Sequence, residues 1–178
     1  MRNYLTFRNA PFLAAAGLVV ALFPAGTAQA VTDTVFQYST PKTGYVTFQA
    51  QNFTPRSSTT EFNSSAGNGL VPTAGAFFST PLQLPQGAKI TALTVWYQTQ
   101  TTISIIRQRL TNNVADVPVN RTFNAGGGAF TIGNANMPSP PIVINNAQFS
   151  YSLQVFAEPG PAAFFNARIT YTYTNAGD

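Results

Sequence analysis

Phe149-Ser150-Tyr151-Ser152-Leu153-Gln154-Val155-Phe156-Ala157 is the stretch on which the fold of this chain turns. Phe149, Tyr151, Leu153, Val155 and Ala157 fall on one side of an extended backbone; Ser150, Ser152, Gln154 and Phe156 fall on the other. Side chains of a strand point alternately to its two faces, so this spacing marks a strand with one dry and one wet side. The pattern returns near the C-terminus, with Ala167, Ile169, Tyr171 and Tyr173 set against Arg168, Thr170, Thr172 and Thr174. Half-wet strands of this kind belong to antiparallel sheets.

Working outward, Ile90–Gln98 and Thr102–Leu110 form a second pair of strands. In the first, Leu93, Val95 and Tyr97 share a face and Ile90, Ala92 and Trp96 take the other. In the second, Ile103 and Ile105 give way to Arg107 and Arg109 on the same face, as expected of a strand that leaves the core partway along. Weaker strands are expected at Thr34–Tyr38, Gly44–Ala50, Ala74–Ser79, Ala129–Ile132 and Pro141–Ile144. Turn chemistry separates them: Pro41-Lys42-Thr43-Gly44, Gly67-Asn68-Gly69, Leu84-Pro85-Gln86-Gly87, Asn112-Asn113, Gly126-Gly127-Gly128, Asn145-Asn146 and Pro159-Gly160-Pro161. Pro85 and Gly87 fit the second and fourth positions of a type I turn. Gln51–Leu70 is the longest polar stretch and reads as a loop. Nothing after residue 30 has a helical period. The expectation is an all-β chain, a single antiparallel β-sandwich or jelly-roll-like domain.

Residues 1–30 read differently. Arg2 and Arg8 precede an apolar run, Phe12–Phe23, and Ala28-Gln29-Ala30 forms an A-x-A cleavage box. This is the layout of a signal peptide, and the run is too short for a bilayer span of roughly 20 residues. The mature domain is therefore expected at 31–178, exported to the periplasm, the cell surface or the medium, with no transmembrane segment. It has no cysteine, so it holds together by sheet pairing and apolar burial rather than disulfides.

The strand-and-turn text of Leu84–Tyr173 carries a resemblance. Leu84-Pro85-Gln86-Gly87-Ala88-Lys89-Ile90-Thr91, the strand ending Val95-Trp96-Tyr97, and the segments Ile103–Leu110, Asn146–Leu153 and Phe165–Tyr173 resemble small exported bacterial β-sandwich proteins, a loose group with no assigned activity. The resemblance covers about half the chain. It implies the fold and carries over no functional residue.

Composition then narrows the chemistry. Histidine is absent as well as cysteine, which removes Ser-His-Asp and Cys-His catalysis, imidazole bases and His- or Cys-ligated metal sites. The acids of the mature chain, Asp33, Glu61, Asp116, Glu158 and Asp178, are scattered, and no pair or D-x-D cluster suggests a glycosidase or a calcium loop. Asp116, among Asn112, Asn113 and Asn120, is the nearest to a calcium candidate. Gly126-Gly127-Gly128 lacks the downstream Gly-Lys-Ser/Thr of a phosphate cradle. No cofactor and no metal is expected. The bases are equally dispersed, without the runs that bind nucleic acid.

A third of the chain is Asn, Gln, Ser or Thr and only 8% is charged. Such a neutral, hydrogen-bonding exterior suits glycan contact or self-association. Trp96 with Tyr97 is the aromatic candidate for stacking on sugar rings. Arg107-x-Arg109, with Arg121 and Arg168 as potential neighbours, is the candidate for capturing carboxylates. Against these stand a Trp and Tyr that merely fill the core and arginines that merely solvate a strand end. The function expected is non-catalytic binding or assembly. A carbohydrate-binding module is the first alternative. A fimbria-like subunit donating Thr34–Tyr38 to a neighbour is the second.

Overall fold

The computed structural model describes residues 36–65, 67, 69–124, 129–160 and 164–176. The signal peptide expected at 1–30, residues 31–35 and the triple glycine 126–128 lie outside the described residues. Alternation in the sequence becomes twelve strands: β1 (Phe36–Gln49), β2 (Thr54–Pro55), β3 (Phe62–Ser65), β4 (Gly69–Pro72), β5 (Ala76–Pro81), β6 (Lys89–Tyr97), β7 (Thr101–Arg109), β8 (Ala115–Phe123), β9 (Thr131–Asn136), β10 (Ile142–Val143), β11 (Phe149–Ala157) and β12 (Phe164–Ala176). The helical structure among the described residues is one short 3-10 turn at Ala50–Asn52. No helix there is long and apolar enough to cross a membrane.

The strands form two antiparallel sheets. In the first, β6 and β12 pair along the centre; β9 and β10 share the free edge of β6, β1 and β4 share that of β12, and β3 lies beyond β4. The second runs β2-β5-β11-β7-β8. Between them lies the core, with Leu93, Val95, Tyr97, Ala167 and Ile169 from the first sheet and Phe78, Ile103, Ile105, Leu153 and Val155 from the second, all buried. Apart from Phe78, these are residues that period two sets on one face of their strands. The expected all-β sandwich is the fold.

Several local expectations give way, each for a physical reason. Pro41–Gly44 is not a turn between two strands but part of the single strand β1, which absorbs it as an irregularity between Gln37 and Lys42. Ile90 points inward with Leu93 rather than outward with Ala92 and Trp96. Tyr171 lies opposite Ile90 and Thr170 opposite Ala92, so Thr91 is an extra residue that reverses the phase. The turn before β6 falls one residue later than the proline suggests. The Ala88 amide donates to the Pro85 carbonyl at 3.0 Å, with Gly87 at φ 76° in the third position, the pattern of a type II turn, where only glycine sits without strain. The polar stretch Gln51–Leu70 holds β2, β3 and the start of β4 rather than a plain loop. Asp116 lies in β8, an edge strand that tolerates Pro118 because its outer side needs no ladder donor.

One close approach ties the first sheet to the core. A Cβ placed on Gly133 of β9 would fall 2.3 Å from Cδ1 of Phe123 and 3.0 Å from Cε1 of Tyr97. Gly133 therefore faces inward under two rings, and its neighbours Ile132 and Asn134 face out.

Candidate functional site

The register fixes which side chains share the outer face of the first sheet. Trp96 stands opposite Ile132 on one side and Asn166 on the other; Thr94 stands opposite Asn134 and Arg168; Arg168 in turn stands opposite Thr47, and Thr170 opposite Tyr45. All project away from Leu93, Val95, Ala167 and Ile169. Arg168 occupies the middle strand of this row, with its guanidinium 5.5 Å from the Trp96 ring centre and 5.4 Å from that of Tyr45. The two rings thus lie no more than about 11 Å apart with a cation between them. Tyr45 is 62% exposed, and Trp96 is half-buried.

The surroundings are apolar on one flank and amide-rich elsewhere. Ile132 and Phe130 are each more than half exposed, and Phe130 meets Phe165 edge to face at 5.3 Å. The Thr94 hydroxyl donates to Oδ1 of Asn134 at 2.8 Å, which engages the acceptor end of that amide and leaves its NH2 end as donor. Asn136, Asn166, Thr47 and Gln49 complete the face, and among the described residues no aspartate or glutamate lies on it. Strand-borne side chains in the middle of a paired sheet are held firmly, as a binding surface requires. Chemically, the row offers ring faces for the C–H side of a sugar, surrounded by neutral donors and acceptors for its hydroxyls.

The four residues singled out in the sequence separate. Trp96 is on this face. Its neighbour Tyr97 points the opposite way, 4% exposed, against Phe123 at 5.7 Å, with its hydroxyl reaching the Asn124 carbonyl at 3.4 Å. Adjacent residues of a strand cannot share a face, so Tyr97 is a core residue and not a second stacking ring. Arg107 and Arg109 belong to the second sheet. Arg107 is forked onto Asp116 across the β7–β8 pair, through Nε to Oδ1 at 3.0 Å and Nη2 to Oδ2 at 2.5 Å. It also stacks 4.5 Å over Phe149, with Arg109 5.3 Å from the same ring. That pairing holds the Asp116 carboxyl below its usual range, and its causes are led by the hydrogen bond from Arg107. The guanidinium that was to capture a foreign carboxylate has one from its own chain, and the nearest thing to a calcium ligand is its partner. Arg168 is not a neighbour of Arg107; the two lie on different sheets.

Two other places deserve comparison. A groove of about 550 Å³ runs between Pro81–Pro85, Asn146, Ser150 and Tyr151. Two of its polar residues are engaged within the chain: the Tyr151 hydroxyl accepts from the Asn145 amide at 2.9 Å, and Asn146 donates to the Leu84 carbonyl and to Gln86 Oε1. The strand of the fimbria-like reading is engaged too, since Phe36 and Gln37 pair with Ala176 and Asn175 of the same chain.

Tyr45 is the residue that sequence reasoning missed, and Arg168 was named only as a potential neighbour of Arg107, not of Trp96. The signal for Arg168 was present in the outward phase of the last strand, but nothing in the sequence says that β1 lies beside it.

No family model matches the chain, and no curated protein does. Among solved structures, it is similar to a family 6 carbohydrate-binding module at 12% identity and a TM-score of 0.41, over 74% of this chain and 94% of that one. It is similar also to CsCBM6-3 from Clostridium stercorarium, in complex with cellobiose, at 16% identity and a TM-score of 0.38, over 74% and 94%. A third is CBM6cm-2 from Cellvibrio mixtus lichenase 5A, in complex with cellotriose, at 15% identity and 0.36, over 75% and 98%. With every score below 0.5, these likenesses transfer no ligand and no residue to this chain.

Proposed function

We propose that this chain is a non-catalytic, exported glycan-binding module whose working surface is the outer face of the first sheet. The observation that carries the reading is the Tyr45–Arg168–Trp96 row, two ring faces held across one guanidinium in the middle of an open, carboxylate-free sheet. A row spread over three strands suits an extended chain of sugar rings better than a single small molecule. The surrounding amides and hydroxyls supply hydrogen bonds at no charge cost, and the stacking rings supply affinity. Catalysis is not part of the reading: Asp116 is held ionised by Arg107 and lies on the other sheet.

Affinity electrophoresis through gels containing single soluble polysaccharides tests it. The chain is retarded by at least one of them, and Trp96→Ala and Tyr45→Ala each weaken retention tenfold or more while melting as the parent does. Free migration in every gel, or undiminished retention of Trp96→Ala, refutes it.

A further inference from the structure

We infer that this face selects acidic polysaccharides, those bearing carboxylates on their sugar rings, and that Arg168 is the residue that reads the charge. The inference rests on the glycan-binding reading above and names its ligand class.

Arg168 differs from Arg107 in its setting. Arg107 has an aromatic ring beneath it and a carboxylate in its fork. Arg168 has aromatic rings on both sides and no carboxylate: its interactions among the described residues are the Trp96 and Tyr45 rings, and its Nε is buried without a hydrogen-bond partner. The faces of the two rings hold the guanidinium by cation–π attraction and keep its planar fork from wandering. Such a fork matches a carboxylate in two parallel hydrogen bonds, which a neutral hydroxyl cannot reproduce.

The charge around it points the same way. The outer face carries a second base, Lys89, opposite Thr172 on the same middle strand as Arg168. Four residues of strand separate Arg168 from Thr172, roughly 13 Å at the rise of a β-strand. No described acid lies on the face to neutralise either base. A neutral polymer offers the terminal guanidinium nitrogens of Arg168 no charged partner, whereas a polyuronate does; the buried Nε takes no part in that contact. Charged residues are scarce in this chain, so a base left unpaired at the centre of the aromatic row is a selective element rather than background.

Polygalacturonate and its methyl ester share a backbone and differ in charge, so their comparison needs no variant. In titrations of the full chain at low salt, polygalacturonate binds at least tenfold more tightly than the ester. Half-molar sodium chloride removes most of that advantage, because exposed charge pairs are screened. Arg168→Gln brings affinity for polygalacturonate down to that for the ester, and Arg168→Lys, a charge without the fork, restores only part of the difference. Equal affinity for acid and ester overturns this inference and leaves the glycan reading standing. Failure to bind either form or any neutral polysaccharide overturns both. Binding of inorganic polyphosphate as tightly as polygalacturonate shows a general polyanion surface and also overturns it.

Discussion

Gly133→Ala places a methyl group where two rings already sit, and its cost can be worked out from the contacts. The new Cβ falls 2.3 Å and 2.8 Å from two carbons of Phe123 and 3.0 Å from one of Tyr97. Carbon atoms prefer about 3.5–4.0 Å, so the Phe123 ring must withdraw by more than about 1 Å or β9 must lift from β6. Both rings are buried and have little room to withdraw. Overpacking of this kind costs roughly 1–3 kcal/mol, and the lower backbone entropy of alanine in the unfolded chain returns about 0.4–1 kcal/mol. With a 2.3 Å approach the overpacking cost falls in the upper part of that range, about 2–3 kcal/mol, so the expected net loss is about 1–2.6 kcal/mol, or roughly 2–10 °C in Tm for a domain of this size. Urea unfolding followed by the fluorescence of Trp96 measures it, since this single tryptophan sits directly across from Ile132. Phe123→Leu in the same background makes space, so the double variant is less destabilised than the two single losses combined, by at least about 0.5 kcal/mol. A loss for Gly133→Ala below about 0.5 kcal/mol, or strict additivity with Phe123→Leu, refutes the inward placement of Gly133 and with it the outward placement of Ile132 and Asn134.

Three further outcomes follow from the same contacts. Tyr97→Phe removes only a long hydroxyl contact and leaves glycan binding unchanged at a stability cost under about 1 kcal/mol, whereas Tyr97→Ala costs roughly 3–5 kcal/mol; a selective loss of binding in the phenylalanine variant would return Tyr97 to the ligand face. Asp116 titrates lower in the folded chain than in the unfolded one, so the stability it contributes is full at neutral pH and is lost as pH falls through its folded value. Asp116→Asn therefore destabilises by less than about 1 kcal/mol at neutral pH and by nothing in strong acid, and a larger effect in acid than at neutral pH would contradict the pairing with Arg107. Arg107→Ala and Arg109→Ala leave polysaccharide affinity within twofold of the parent; a tenfold loss would move the site to the second sheet.

Much of the fold was legible because alternation is a local property. β11 and β12 announce both faces in their own text, and Leu93, Val95 and Tyr97 do so for β6. What failed depended on neighbours. The extra residue at Thr91 turns Ile90 inward, and only the register against Tyr171 reveals it. β8 carries a proline and three charged or amide residues and survives as an edge strand because Arg107 and Val119 find partners across it. The site divided along the same line. Trp96 was visible as an aromatic candidate, but Tyr97, put forward beside it, faces the core, as strand phase requires. Tyr45 and Arg168 are 123 positions apart in the chain and meet only through the β1–β12 pairing. Arg107 drew attention because it precedes Arg109 in the sequence, yet its partner, Asp116, comes from the neighbouring strand.

The most direct test of the binding face is backbone amide chemical-shift mapping of the full chain titrated with oligogalacturonate. Shifts concentrated at Tyr45, Thr47, Thr94, Trp96, Asn134, Asn166 and Arg168, with the Trp96 indole among the largest, are the predicted result. Shifts centred on Arg107, Arg109 and Phe149, or along Pro81–Pro85 and Tyr151, would contradict the assignment of the outer face of the first sheet.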